Sequence, residues 1–481
     1  MGDLLNNKWN YVELQHLASI KSGGTPSRSN KAYWNGDIPW LKISDFNDLY
    51  IRKSEEFISK IGLDNSSARI FPKGTILFTI FATIGKIGIL DFEAATNQAI
   101  AGITPNDHIN HKYLVYSLKQ LSDGLQDVGK GVAQKNINLS ILKETKIPLP
   151  PLAEQERIVA KLDKLFAQVE VMKKALERIP QLLKDFRQQV LTQAVTGKLT
   201  EEWRRGKNLV SHINIIKENR IKNFEESLKR SKKEKLKKPR MLVEDDFDLN
   251  ELDKSISFPT YWILENLKNI CDFITDGEHA TPKRTEQGYF LLSARNVRDG
   301  FLSLENVDYV NESEFKRISQ RCNPEYKDVL ISCSGSVGRV AQFPNDLEAV
   351  MVRSAALLKL QSNIEISKFV EFALRSNVGQ NQVEKLTKST AQSNLFLEPI
   401  GKIVIPIPDL QEQNEIVFRV ESLLDKADKI EEKYKALKTK IATFPQTILH
   451  KAFTGELVEQ LPTDGDAKDL LAEIMAIKTS K

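Results

Sequence analysis

Few residues in this chain are spaced for catalysis. A phosphate-cradling loop needs Gly-x-x-x-x-Gly-Lys-Ser/Thr, and the nearest run, Thr83-Ile84-Gly85-Lys86, lacks the upstream glycine. The histidines (His16, His108, His111, His212, His279, His450) show no ligand spacing beyond His108-x-x-His111, which reads as surface. A nuclease-like Pro408-Asp409 with Glu431-x-Lys433 would place its parts 22 residues apart on a helix. The Asn/Asp-Pro-Pro-aromatic tetrapeptide and Gly-rich cofactor loop of an adenine methyltransferase are both missing. Cys271, Cys322 and Cys333 never fall in a Cys-x-x-Cys spacing, which argues against a disulfide framework or a Cys-type zinc site. That usage fits a reducing cytoplasm. What remains is polar and cationic side chains on Gly-rich turns, chemistry suited to binding.

The chain has 481 residues, 41% hydrophobic and 28% charged, which predicts a globular protein of about three structural units. Its net charge of +5 hints at nucleic acid. The excess is local, however. Residues 217–240 carry 11 basic against 4 acidic side chains, and residues 241–253 carry 6 acidic and none basic. The most apolar run, Ile76 to Leu90, is too short to span a bilayer and is interrupted by Lys86. No basic region followed by an apolar run opens the sequence, so no secretory signal is expected.

The sequence is written twice. At an offset of 258 residues, IPLPPLAEQERIV (from Ile147) recurs as IPIPDLQEQNEIV (from Ile405). The match runs ungapped to the TGKL and TGEL that end near Leu199 and Leu457, with 17 of 58 positions identical, too long to be chance. Upstream it weakens. GVAQKNINL (from Gly131) pairs with STAQSNLFL (from Ser389), and TILFTIFATIGKI (from Thr75) resembles DVLISCSGSVGRV (from Asp328). The offset there drifts between about 250 and 258, as loop insertions and deletions would cause.

Both matched stretches are helical by pattern. Apolar residues alternate 4 and 3 apart at Ile158, Leu162, Leu165, Val169, Met172 and Leu176, and again at Ile416, Val420, Leu423, Ala427, Ile430 and Tyr434. This is the seam of a coiled coil. Proline-rich turns open each helix, and Pro180 and Pro445 predict a kink or break inside. At ~1.5 Å per residue, Leu152 to Val195 would reach roughly 65 Å, against about 34 Å for one B-DNA turn. Such a pair of helices suits a spacer. The globular segments read as mixed α/β. Expected strands include Ile38–Ile43, Thr75–Ile80, Phe290–Ala294, Val329–Cys333 and Ala355–Leu360, with short helices at Lys112–Gln120 and Ile366–Ser376.

Two diverged globular halves alternate with two matched helices. Ala-Gln-x-Asn stands just before each helix opening, and TGKL or TGEL closes each helix. In this the chain resembles the specificity subunit of a type I restriction-modification system. The resemblance implies an α/β fold: two target recognition domains of mixed α/β structure, a long antiparallel coiled coil between them, and an internal pseudo-twofold duplication. The divisions are 1–146 for the first recognition domain and 147–204 for the first helical region. A charged connector follows over 205–253, then the second recognition domain over 254–404. Residues 405–462 form the second helical region and 463–481 a C-terminal tail helix.

By the same resemblance, each domain reads half of a bipartite, asymmetric duplex DNA site, and the coil sets the gap. Two modification (methyltransferase) subunits dock on the coil, and restriction (translocase/nuclease) subunits can join. S-adenosylmethionine, ATP and Mg are bound by those partners, so this chain would need no cofactor and would catalyse nothing. The alternatives are a stand-alone DNA-modifying enzyme and a coiled-coil scaffold without sequence preference.

Groove readout calls for Arg or Lys on guanine and Asn or Gln on adenine, with phosphate contacts for register. Candidates in the first domain are Ser22, Thr25, Lys42, Ser44, Thr79, Lys86, Lys130, Gln134, Lys135 and Asn136. Those in the second are Thr281, Lys283, Ser293, Arg295, Asn296, Ser334, Ser336, Arg339, Arg353, Gln392 and Asn394. Gln134, Asn136, Gln392 and Asn394 recur where the target-reading parts differ, so bracing the loop against the coil is a second reading for them.

Overall fold

Runs of β-branched and aromatic residues between Gly-rich turns form strands close to the expected positions, at Ile38–Leu41, Ile76–Thr79, Tyr289–Leu292, Val329–Ser332 and Ala355–Lys359. The computed structural model describes residues 9–81, 83–128, 137–233, 238–239, 252, 255–388 and 394–479. It comprises two compact units: Met1–Glu177 with Lys435–Lys481, and Arg178–Tyr434.

In the first unit, a five-stranded sheet runs in the order Ala18–Ser22, Ile100–Pro105, Ile76–Thr79, Ile87–Leu90, Tyr50–Ile51. A four-stranded sheet runs Glu56–Ile58, Ile38–Leu41, Ala94–Thr96, Ile70–Phe71, with a parallel central pair. The entry strand Asn10–Glu13 pairs antiparallel with the exit strand Lys146–Leu149, so the domain closes on itself just before its helix begins. Helix His111–Val128 covers the larger sheet through Tyr113, Leu114 and Leu118.

The second unit repeats this plan. One sheet runs Phe273–Asp276, Ala355–Lys359, Val329–Ser332, Val340–Gln342; the other runs Arg284–Thr285, Asp308–Val310, Tyr289–Leu292, Ala349–Met351. Its entry and exit strands, Ile263–Asn266 and Val404–Ile407, pair antiparallel as in the first. Part of the charged connector belongs to this unit. Helix Ile213–Lys233 packs on the domain, and the buried Arg220 guanidinium donates to the Cys271 and Asn269 carbonyls at 2.7 and 3.3 Å. Asn223 donates to Asp272 at 3.2 Å, and Lys217 pairs with Glu265 at 2.9 Å. The helix's inner face is therefore a piece of the domain, not solvated linker.

The helical stretches are Leu152–Glu177, Ile179–Val195 and Leu410–Phe453. In the first unit Leu162 clusters with Leu449 and Ala452, while Met172, ten residues on, shares a pocket with Phe444 and Ile448. In the second unit Arg187 pairs with Asp428 and Glu431, while Arg204 pairs with Glu412. Within each unit the partner numbers fall as the first helix advances, so the helices run antiparallel. Ile158, Leu162, Val169, Leu176, Ile416, Val420 and Ala427 are buried; Leu165, Leu423 and Tyr434 are partly buried. Met172 and Ile430 are 37% and 50% exposed, so the seam opens there. A helix boundary falls at Arg178, and Pro180 sits in the first turn of the next helix, where its missing N–H costs nothing. The expected break at Pro445 does not occur, because helix Leu410–Phe453 runs through it. Ile441 and Leu449, buried on either side, hold the turns together. Helix Ala467–Thr479 returns to the first core through Ile474.

Candidate nucleic-acid interface

Each domain carries the same hairpin turn, or lip, after the strand Ile76–Thr79 in the first and Val329–Ser332 in the second. In the first, the buried Thr79 hydroxyl donates to the Thr83 carbonyl and accepts from the Lys86 N–H at 2.8 Å. In the second, the Ser332 hydroxyl donates to Ser336 O at 2.6 Å and accepts from Arg339 N at 2.9 Å. The turns close on Gly85 and Gly338, both at φ +85°, a left-handed conformation that a side chain would strain. Thr79 is therefore a brace inside the turn, not a DNA contact, because both its hydrogen bonds are spent internally. The turn instead presents Lys86, exposed, in one domain and Ser336, exposed, in the other, with Arg339 partly buried beside it.

A second shared turn follows the strand Ile38–Leu41 in the first domain and Tyr289–Leu292 in the second. The Lys42 N–H donates to Asp45 at 2.7 Å, as the Ser293 N–H and hydroxyl donate to Asn296 at 2.9 and 3.0 Å. Asn296 is fully buried and donates onward to the Ser303 carbonyl at 3.0 Å. Asn296 and Ser293 thus brace the turn, which corrects their place among the candidate DNA contacts. The Lys42 ammonium is held by Glu56 at 3.0 Å and Glu55 at 3.1 Å, and those hydrogen bonds raise its pKa. Arg295 pairs with Asp308 at 2.7 Å. Both cations are engaged within the domain, and a phosphate would have to compete for them.

Of the other candidates, Ser22 ends its strand, partly buried, and Thr25 donates to the Gln98 side-chain oxygen. Ser44, Thr281 and Lys283 are exposed. Ser334, Arg353 and Asn394 come together on one cleft of about 510 Å³, beside Asp276, His279 and Phe396. Burial pushes the Cys333 thiol in this cleft up to about 12, so it stays protonated. Burial opposes ionisation of Asp276, but Arg321 and His279 outweigh it and hold the carboxyl below its ordinary value. Lys130, Gln134, Lys135, Asn136 and Gln392 lie outside the described residues.

Other residues emerge only from the structure. The Arg28 guanidinium lies 3.5 Å over the Trp34 ring and pairs with Glu56 at 2.5 Å. Gln98 stands exposed in the connection between the strands Ala94–Thr96 and Ile100–Pro105. Each helix opening also buries a glutamate and a glutamine. Gln155 donates to the Pro150 carbonyl at 2.9 Å and Gln413 to the Pro408 carbonyl at 3.1 Å. Glu154 accepts from the Trp9 indole at 3.0 Å and Glu412 from the Trp262 indole at 2.9 Å. The Glu-Gln pair is repeated in the sequence at the same place in each helix opening, and that was the signal available for it.

The described geometry is one recognition-type fold made twice, each copy sealed to a helix. The type I restriction modification DNA specificity domain matches residues 6–181 and 265–439, one match per copy. The chain belongs to that family. It is similar to the EcoBI type I restriction enzyme specificity subunit of Escherichia coli, at 27% identity over 95% of this chain and 88% of that subunit. The EcoKI specificity subunit of Escherichia coli K12 is 28% identical over 77% of this chain and 71% of its own length. Among solved structures, the HsdS subunit from Thermoanaerobacter tengcongensis has a TM-score of 0.57 at 16% identity, covering 94% of this chain and 98% of that one. A chain from a type I R-M system complex has a TM-score of 0.60 at 17% identity over 94% and 99%. The family's fold is therefore that of this chain: two mixed α/β domains, duplicated, with an antiparallel coiled coil.

Proposed function

We propose that this chain is the DNA-specificity subunit of a type I restriction-modification complex. Each domain reads one half of a bipartite, asymmetric duplex site. The coil fixes the gap and docks two modification subunits, with restriction subunits joining that core. The observation that carries this reading is the pair of lips. Identical turns, braced by Thr79 in one domain and Ser332 in the other, present different exposed side chains. A conserved frame with exchanged contact groups suits two readers of two different sequences. The chemistry falls to the partners, which would bind S-adenosylmethionine, ATP and Mg. In this chain the thiol at the cleft is protonated and so a poor nucleophile. The adenine to be methylated would leave the stack for a partner's pocket.

Genome-wide mapping of N6-methyladenine with and without this gene tests the reading. A split motif that disappears with the gene supports it; an unchanged methylome, or methyl transfer by the purified chain alone, overturns it. Inserting one heptad at equivalent places in both helices should lengthen the gap and leave both half-sites unchanged.

A further inference from the structure

The two lips can be superposed residue by residue through their hydrogen bonds, which the drifting sequence offset does not allow. The Asn97 N–H donates to Leu41 O at 3.1 Å, as the Val352 N–H donates to Leu292 O at 3.0 Å. The Ile80 N–H donates to Ala99 O at 2.9 Å, as the Cys333 N–H donates to Ser354 O at 2.8 Å. Ile100 pairs with Thr79 and Ala355 with Ser332. Three residues separate Ala94–Thr96 from Ile100–Pro105, and three separate Ala349–Met351 from Ala355–Lys359; with Asn97 matched to Val352 and Ala99 to Ser354, the middle residues, Gln98 and Arg353, correspond. Both are exposed. Their neighbours correspond too. Gly23 and Gly277 each run so close to the end of the parallel strand that a Cβ would fall 2.3 Å from Thr96 O and 2.0 Å from Met351 O. Two residues on stand Thr25 and His279.

The chemistry at this shared position differs between domains. Thr25 donates to the Gln98 side-chain oxygen. This occupies one lone pair of the amide oxygen, and leaves the NH₂ and a second lone pair of an exposed side chain available. In the second domain, His279 is drawn to Asp276 at 2.7 Å and Arg321 at 3.0 Å. The Arg353 guanidinium has no hydrogen-bond or ion-pair partner among the described residues, and it lines the cleft with Ser334 and Asn394. An amide offering one donor and one acceptor matches adenine N6/N7, and a guanidinium fork matches guanine O6/N7.

We propose that Gln98 and Arg353 are equivalent base-reading positions, Gln98 specifying an adenine in one half-site and Arg353 a guanine in the other. This rests on the specificity reading above. The test uses the full chain reconstituted with its modification subunits, and compares methylation of duplexes substituted one base at a time across both half-sites. R353A should abolish discrimination at a single guanine of one half-site, a loss of about ten- to a hundredfold, with the other half-site and the gap intact. R353K, which keeps the charge but not the fork, should lose most of it as well. Q98A should relax one adenine position in the other half-site. If R353A instead weakens all duplexes equally and lowers the salt slope, or if R353K discriminates like the wild type, Arg353 is a phosphate contact and the assignment fails. If wild-type chain shows no split motif, the specificity reading fails and takes this assignment with it. Co-elution of each variant with the modification subunits checks that it is folded.

Discussion

The two domains share a topology but are fastened to their helices by carboxylates in different company. Glu154 and Glu412 hold the same place, two residues into their helices, 258 residues apart, and each receives a tryptophan indole from its own domain's entry segment. Glu412 also accepts from Thr200 at 2.6 Å, from Arg204 at 2.7 Å and from the Tyr261 hydroxyl. Its charge is buried but compensated. Glu154 has the Trp9 donor, while its Oε1 makes no hydrogen bond of normal geometry among the described residues. Burial therefore raises its pKa, and the Trp9 and Gln460 contacts offset only part of that rise. The same letter in the same motif is a full anchor in one copy and a partly unsatisfied one in the other. What differs is the environment: the stretch after Thr196 turns back to supply Thr200 and Arg204 in the second unit.

Removing the fuller anchor should cost most. Glu412→Ala removes the carboxylate partner of the partly buried Arg204 and leaves the Thr200, Tyr261 and Trp262 donors without this acceptor. A loss of about 3–5 kcal/mol is expected, read from denaturant unfolding followed by a probe in the second unit such as Trp262 fluorescence. Glu154→Ala should cost less, about 1–2 kcal/mol, since one indole loses its acceptor and one unsatisfied oxygen is removed as well. Equal losses from the two variants would erase the distinction between the anchors.

The pH dependence sharpens the same contrast. The folded-state pKa of Glu154 lies above its unfolded value, so the native state holds the proton more tightly there. Its contribution is favourable below the ordinary glutamate value, and declines as pH rises from that value through the raised one. The first unit should thus lose stability as pH rises above the ordinary glutamate value. Glu154→Gln should flatten that part of the profile. A slope unchanged by Glu154→Gln would mean that another group carries it.

Much of this frame is legible in the sequence, for identifiable reasons. The heptad seam is periodic over many turns, and burial follows it at Ile158, Leu162, Ile416 and Val420. Met172 and Ile430 fit the period yet lie open, because periodicity reports which face a residue occupies and not whether a partner covers that face. The candidate interface was less legible. Polar residues beside Gly-rich turns include both lip donors and turn braces, and Thr79 and Asn296 prove to be braces because their polar atoms close local rings. Gln98 carries no local signal. Its equivalence to Arg353 exists only through strand pairing, after loops of unequal length have shifted the alignment.

The shared brace tests whether the frames are equivalent where the anchors are not. Thr79→Val and Ser332→Ala each delete a hydroxyl that makes two hydrogen bonds within its turn. Each should destabilise its own domain by roughly 1–2 kcal/mol, and the two losses should agree within about 0.5 kcal/mol. Each should also loosen the lip: hydrogen exchange at the Lys86 amide should quicken in Thr79→Val, and at the Arg339 amide in Ser332→Ala. A large loss in one domain and none in the other would mean that the turns match in outline only. The superposition that equates Gln98 with Arg353 would then have to rest on the strand pairings alone.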